Sequence, residues 1–389
     1  MRFIKILTVA LLSYLSAHSA AATLSVTPRL DVDYKPVLSS DEGGFWYKVE
    51  QLEFETKRSP HRIRDAAINK YLSDLVCSLA GEYCPNIRVY LIDNPHFNAS
   101  MYPNGMMHVH TGLLLRLENE AQLAAILGHE IGHYLMTHHL IQYRSARDGL
   151  AVATLIDIGL VALTGVYGLA TIGVHSANLS FSREHEYEAD LIGLELMANA
   201  GYAPSEATKL WDEVMIEREA DKSKEKRSIF WAAHPASEKR SKKLSEQAQA
   251  IVLPDNQDGQ LNQKRFLNMV ELIYLEAMSN HVSLQEYEQS EVLINKHKRL
   301  GLPNNLTYFF EGELHRMRAG EGDTQKAIAA YRQSTSEDDA IPAAHKQLAY
   351  MLLKQKNNHE ALLHFKKYLA LNPDASDKAM IEYYLSTLR

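Results

Sequence analysis

The chain has 389 residues, too many for one ordinary domain, so two or three domains are expected. Its 46% apolar content is that of a globular protein able to bury a sizeable core. With 48 acidic against 41 basic side chains the balance is mildly acidic, which argues against nucleic acid as a partner, since that would want a basic face.

The opening stretch, MRFIKILTVALLSYLSAHSAAATLS, reads as a targeting segment. Arg2 and Lys5 give a basic start. Ile6 to Leu15 is an apolar core too short to span a bilayer, and Ala20 and Ala22 form an A-x-A cleavage pattern. No cysteine follows that core, which argues against a lipoprotein. Residues 1–22 are therefore expected to be a cleavable signal peptide. In an oxidising compartment the closely spaced pair in VCSLAGEYC, Cys77 and Cys84, is expected to form a disulfide, closing a short loop worth ~2–3 kcal/mol at most.

Lys57 to Leu79 carries apolar residues at helical spacing, and Ile87 to Asp93 reads as a strand. The Pro103–Gly105 turn and the alternating MMHVH after it predict a hairpin ending in a short strand. His108 and His110 share one face of that strand and read as surface residues. Asn119 to Tyr143 is strongly helical. Gly149 to Val174 is long and apolar enough to raise the question of a membrane span. Asp157 and several glycines, each costing ~1 kcal/mol in a helix, favour buried or site-covering helices instead, with membrane contact as the alternative. SFSREHEYEADLIGLELMANAGY predicts a helix ending at Gly201.

From Ile251 the texture changes. VLPDNQDGQLNQ is polar and turn-rich, which separates a domain of residues 23–255 from one of residues 256–389. The second is helical throughout. KAIAAYRQS (Lys326 to Ser334) aligns with EALLHFKKY (Glu360 to Tyr368), so that Ala327 and Ala361 are 34 positions apart, as are Tyr331 and Phe365. That is the tetratricopeptide period. Leu348, Ala349, Ala361, Phe365 and Pro373 fall on the repeat's characteristic positions, while His345 stands where tryptophan is expected. A generic helical bundle is the plainer alternative.

The chemistry concentrates in ILGHEIGHYLMTHH. His129-Glu130-Ile131-Gly132-His133 matches H-E-x-x-H, in which two imidazoles four residues apart share a helix face, ~6 Å apart along its axis, and can grip one zinc ion. Glu130 beside them can take a proton from the attacking water. His139 has the spacing of a third ligand in one class of zinc proteases, but that class needs a glycine where this chain has Met136, a good helix former. If the helix continues, His139 lies on another face, and His138 and His139 are solvated or supporting residues. The alternative ligand is a carboxylate from a later helix. Glu186 and Asp190 are four apart and can face the same way, one binding metal and the other orienting a ligand imidazole, while Glu188 points elsewhere.

HEIGH, SREHEYEAD and HPASEKR (His234 to Arg240), in this order, resemble the H-E-x-x-H, E-x-x-x-D and H-P-x-x-x-x-R pattern of the Ste24-like gluzincin metallopeptidase family. The resemblance covers about Leu52 to Leu244 and implies an α+β, mostly helical fold: a gluzincin-type zinc peptidase domain with a small antiparallel sheet, here followed by an all-α tetratricopeptide-repeat domain. It implies that His129, His133 and Glu186 bind one Zn²⁺, that Glu130 is the general base and that Asp190 supports the ligands. NASMYPNG and HVHTGLL resemble the family's substrate-side strand. That places Asn98, Met106 and Val109 near substrate, with Met106 to Thr111 as an edge strand able to pair with unfolded polypeptide. Pro235 puts His234 on a loop, from which it can take the fourth metal position and silence the enzyme, or stabilise an oxyanion. Arg240 can anchor that loop or bind a substrate carboxylate. A signal peptide with C-terminal repeats points to a periplasmic branch that acts on misassembled outer-membrane proteins and docks with their assembly machinery. A chaperone or adaptor with a restrained peptidase is the other reading.

Overall fold

A computed structural model describes residues 25–145, 181–211, 230, 233–234, 238–253, 258–336 and 340–387. The expected signal peptide and the apolar stretch Gly149–Val174 lie outside the described residues. Among the described residues no helix is long and apolar enough to cross a membrane.

The helix expected from Lys57 is two helices. Helix α1 (Asp41–Arg58) is capped by the Ser40 side chain and stops at Ser59, ahead of Pro60. Helix α2 (Ala66–Ala80) starts where the Asp65 carboxylate accepts from the Ala67 and Ile68 amides. The chain then turns at Gly81, whose φ of 55° suits glycine, into a short 3₁₀ turn and strand β1 (Arg88–Ile92). Cys77 and Cys84 flank this corner, with their sulfurs at bonding distance.

Strand β2 (Ala99–Met101) and strand β3 (Met106–His110) form the predicted hairpin, turned at Gly105 with φ 83°. The sheet is mixed, because β1 adds parallel to β3 on the other side, giving the order β1-β3-β2. Hence Met106–His110 is the central strand and not an edge. Every residue of β3 is buried, including His108 and His110, which the alternation had placed on the surface. Both faces of this small sheet are covered, so alternation did not report exposure.

A short helix, α3 (Thr111–Leu114), leads to helix α4 (Glu120–Leu135), capped by Asn119. Helix α4 ends earlier than the sequence predicts. Met136 caps it, Thr137 takes a left-handed φ of 55°, and helix α5 (His138–Ser145) sets off anew. Helix α6 (Arg183–Asn199) is capped by Ser182. It meets α4 backbone to backbone. A Cβ on Gly128 would come within 2.9 Å of the Gly193 carbonyl, and one on Gly132 within 2.9 Å of the Ala189 carbonyl. These small residues let the two helices approach closely enough to share a site.

After helix α7 (Glu238–Ala250) come α8 (Gln263–Ser283), α9 (Tyr287–Leu300), α10 (Asn304–Arg318), α11 (Asp323–Ser334), α12 (Pro342–Lys354), α13 (Asn358–Leu371) and α14 (Lys378–Thr387). Helices α10 and α11 pack as one hairpin, and α12 and α13 as the next. Ala327 and Ala361 are fully buried at matching places in α11 and α13, as are Tyr331 and Phe365. One apolar cluster runs from Leu30 through the α2 and α4 faces to Ala361, crossing the boundary drawn at residue 255. Lys296 donates to the Arg116 carbonyl at 2.9 Å across that junction, and Glu120, itself buried, accepts from Asn262 and Arg265.

Candidate active site

Helix α4 supplies His129, Glu130 and His133, and α6 supplies Glu186 and Asp190. His129 Nε2 and His133 Nε2 lie 3.0 Å apart, and His234 Nδ1 is 3.2 Å from His129 Nε2 and 3.0 Å from Glu186 Oε1. Glu186 Oε1 is 3.5 Å from His133 Nε2. One ligand atom from each of His129, His133, Glu186 and His234 falls within 4.8 Å of all the others, and all four residues are buried. Facing imidazole nitrogens and one carboxylate oxygen make up this group. Its needs are those of a cation. Three imidazoles and a carboxylate around one point are a zinc donor set, so the residues present fit the metal.

The carboxylates and the arginine settle the charge. Arg240 grips Asp190 with two hydrogen bonds of 2.8 Å and pairs with Glu186. Asp190 Oδ1 in turn lies 2.9 Å from His129 Nδ1, so it backs the imidazole on the side away from the metal position. Burial opposes charge on Glu186, but His234 and Arg240 outweigh it and hold the carboxyl well below its ordinary range. Burial likewise opposes charge on Asp190, and Arg240 wins. Burial keeps His133 neutral, far below the ordinary histidine value. His234 goes the other way: burial disfavours its charge, yet Glu186 and Glu130 raise it.

Glu130 stands apart from this set. Its Oε2 accepts from the Met101 amide at 3.0 Å, and its Oε1 lies 3.4 Å from His234 Nε2. Burial raises its proton affinity, with His234 and His129 opposing. Glu130 thus connects the metal position to strand β2. In β2 the Asn98 carbonyl and the Tyr102 amide bond to β3, so by alternation the backbone of Ala99 and Met101 faces out toward the site. Among the described residues, the sheet edge near the metal is therefore β2.

That geometry places the four residues expected near substrate as follows. Met106 and Val109 are fully buried on the central strand. Asn98 is buried, and its amide side chain reaches Ser100. Arg240 is buried and engaged by Asp190 and Glu186, so it serves the site's own carboxylates. His234 is buried at the metal position; of its loop, residues 231–232 and 235–237 are not described.

His139 does not join the ligands, although α4 stops short of it. Its ring centre is 6.4 Å from that of His133, and it packs on Phe181 with both nitrogens lacking partners. Of the two alternatives for His138, solvated or supporting, the structure shows the second, and Glu188 points away from the metal set as expected. His138 is buried, not solvated, with its Nδ1 3.0 Å from His133 Nδ1, and Glu188 meets its Nε2 at 2.9 Å. The left-handed turn at Thr137 carries His138 there, and neither glycine nor proline marks that turn in the sequence.

Two histidines and a neighbouring glutamate on one helix, with a glutamate and an aspartate from the next helix behind them, define a metallopeptidase domain of the gluzincin kind. The model of peptidase family M48 matches residues 62–248, just under half of the chain. The chain is similar to the mitochondrial metalloendopeptidase OMA1 of Arabidopsis thaliana, 31% identical over 43% of this chain and 32% of the relative. It is similar to the beta-barrel assembly-enhancing protease of Escherichia coli (strain K12), 26% identical over 57% of this chain and 47% of the relative. The OMA1 endopeptidase of Schizosaccharomyces pombe is 32% identical over 41% of this chain and 45% of the relative. The chain thus spans less than half the length of these curated relatives.

Proposed function

We propose that the protein is a zinc-dependent endopeptidase of the bacterial envelope, acting in the periplasm on misfolded or stalled outer-membrane proteins. The observation that carries the peptidase reading is the position of Glu130, which touches both the edge strand β2 and the buried metal set. His129, His133 and Glu186 would hold the zinc. When bound, zinc supplies Lewis acidity at the scissile carbonyl and makes water a better nucleophile at neutral pH. An extended polypeptide pairs with the outward groups of Ala99 and with the Met101 carbonyl, which lays its backbone beside Glu130. Glu130, raised by burial, takes the proton of the attacking water and passes it to the leaving amine. Asp190 and Arg240 hold His129 and Glu186 in place throughout.

The envelope assignment is supported by the signal-like pattern of residues 1–22 and by likeness to the assembly-enhancing protease, whose name ties it to beta-barrel assembly. The matched buried alanines and aromatics of α11 and α13 support reading the C-terminal helices as tetratricopeptide repeats that dock clients or the assembly machinery. His234 at the fourth ligand position favours a peptidase restrained at rest, and with it a chaperone or adaptor role between cleavage events. Glu130→Gln should retain zinc and lose casein hydrolysis by ~10²–10⁴-fold. His234→Ala should raise basal proteolysis and self-cleavage. Undiminished cleavage by Glu130→Gln would overturn the assignment of the base, and a slower His234→Ala enzyme with full zinc would overturn the restraint.

A further inference from the structure

The two helix-borne imidazoles of the metal set are backed by unlike chains of partners. Behind His129 the chain is short: Asp190 at 2.9 Å, then Arg240. Behind His133 it is longer. His133 Nδ1 lies 3.0 Å from His138 Nδ1, His138 Nε2 lies 2.9 Å from Glu188 Oε2, and Glu188 Oε1 lies 3.0 Å from Arg29 Nη2. Arg29 is itself tied to the end of α4, its backbone amide donating to the Leu135 carbonyl at 3.0 Å and its side chain to that of Met136 at 3.3 Å.

The order of atoms fixes the proton positions. His133 turns Nε2 toward the other ligands, so a neutral His133 that ligates metal carries its proton on Nδ1. Nδ1–H then donates to His138 Nδ1, which leaves the His138 proton on Nε2, where the Glu188 carboxylate accepts it. Every step is satisfied in one arrangement and broken in the other. The site spends backbone strain on this: Thr137, a β-branched residue, sits at φ 55° immediately before His138. His138 and His133 are fully buried, so water cannot replace a lost partner.

We propose that His138, backed by Glu188 and Arg29, is a positioning residue for metal binding, holding the His133 imidazole in the tautomer and orientation that present Nε2 to the ion. The proposal rests on the zinc-site reading above. Glu188 thereby links the metal to the segment that precedes α1, a connection that the catalytic chemistry does not require.

The test is zinc affinity of the full-length protein, measured by competition with a chromophoric chelator, with circular dichroism to confirm folding. His138→Ala should weaken zinc ~10–100-fold, the range for loss of such supporting groups. His138→Gln should recover much of that, because its carbonyl oxygen can accept from His133 while its amide donates to Glu188. Glu188→Ala should give a smaller loss, and His139→Ala, which removes a neighbouring buried imidazole outside the chain, should bind like the wild type. Wild-type affinity in His138→Ala would overturn the proposal, as would an equal loss in His139→Ala, which would make the effect one of packing. If His138→Ala does not fold, Glu188→Ala decides, and wild-type affinity there overturns it. A wild-type protein that binds no zinc would overturn the site reading itself.

Discussion

The metal-site half and the C-terminal helical half are stabilised by opposite means. Around α4 and α6 the interior is crowded with polar groups: His129, Glu130, His133, His138, Glu186, Asp190, His234 and Arg240 are all buried, and each depends on partners far away in sequence. In α10 to α13 small residues face aromatic ones, with fewer charged groups buried among them. A Cβ on Gly312 would meet the Tyr331 ring at 2.5 Å, and Phe365 stacks on Tyr384 with ring centres 5.6 Å apart. A polar interior is a collective structure whose loss at one point disables the whole site. An aromatic-on-small interior is a sum of local contacts, and losing one costs a share.

The comparison is tested most severely by one substitution in each half. Glu186→Gln keeps the shape of the side chain but removes the charge that Arg240, His133 and His234 are arranged around. It should abolish tight zinc binding and hydrolysis while the helical content stays. Phe365→Ala removes a fully buried ring from the cluster of Ala349, Tyr368, Ala375 and Ile381. It should cost ~3–5 kcal/mol of stability in chemical denaturation and leave zinc stoichiometry at one. Zinc loss in Phe365→Ala, or full zinc in Glu186→Gln, would show that the halves do not divide the work in this way.

Acid should sharpen the contrast, with a smaller effect per residue. Burial pushes His108 down to about 4, His110, His138 and His139 to about 3, and His297 to about 4. Such a histidine is neutral in the folded chain but takes a proton at 6.5 when unfolded. The unfolded state therefore binds more protons below that value. The stability these groups contribute is complete above pH 6.5 and is lost as pH falls toward 4. For His297 alone the loss is of order 3 kcal/mol. The melting temperature of the metal-free protein should fall steeply between pH 6.5 and 4. A flat profile would mean that these imidazoles reach water. Four of the five lie in the metal-site half, so hydrogen exchange there should accelerate first.

What could be read from the sequence follows the same division. H-E-x-x-H, Glu186 with Asp190, and the 34-residue period are local spacings, and a helix turns a local spacing into a shared face whatever surrounds it. The strand order was not legible, because pairing on both sides of Met106–His110 depends on β1, which lies across a loop and the hairpin. The Thr137 turn was not legible either. Met136 and Thr137 carry no helix-breaking residue, and the break is enforced by tertiary contacts of His138 with His133 and Glu188. Gly128, Gly132 and Gly193 were the signal available for the α4–α6 contact, since glycines one turn apart allow backbones to touch.

The smallest effect expected is at Cys77 and Cys84, which sit at the edge of the metal-site half and take no part in its polar network. They join the end of α2 to the 3₁₀ turn before β1, across the left-handed Gly81. Tyr83 between them already anchors the corner, its hydroxyl donating to the Leu30 carbonyl at 2.7 Å. A covalent bond there closes a short loop, so its effect on the unfolded chain is ~2–3 kcal/mol at most. Alkylation before reduction should label neither cysteine, and alkylation after reduction should label both. Replacing both by serine should lower the melting temperature by a few degrees without changing zinc affinity or casein hydrolysis. Two labelled thiols in the unreduced protein would refute the bond. A fall in zinc affinity in the double variant would mean that the α2–β1 corner helps to hold the sheet against Glu130, through the β3-paired strand that carries the Met101 amide.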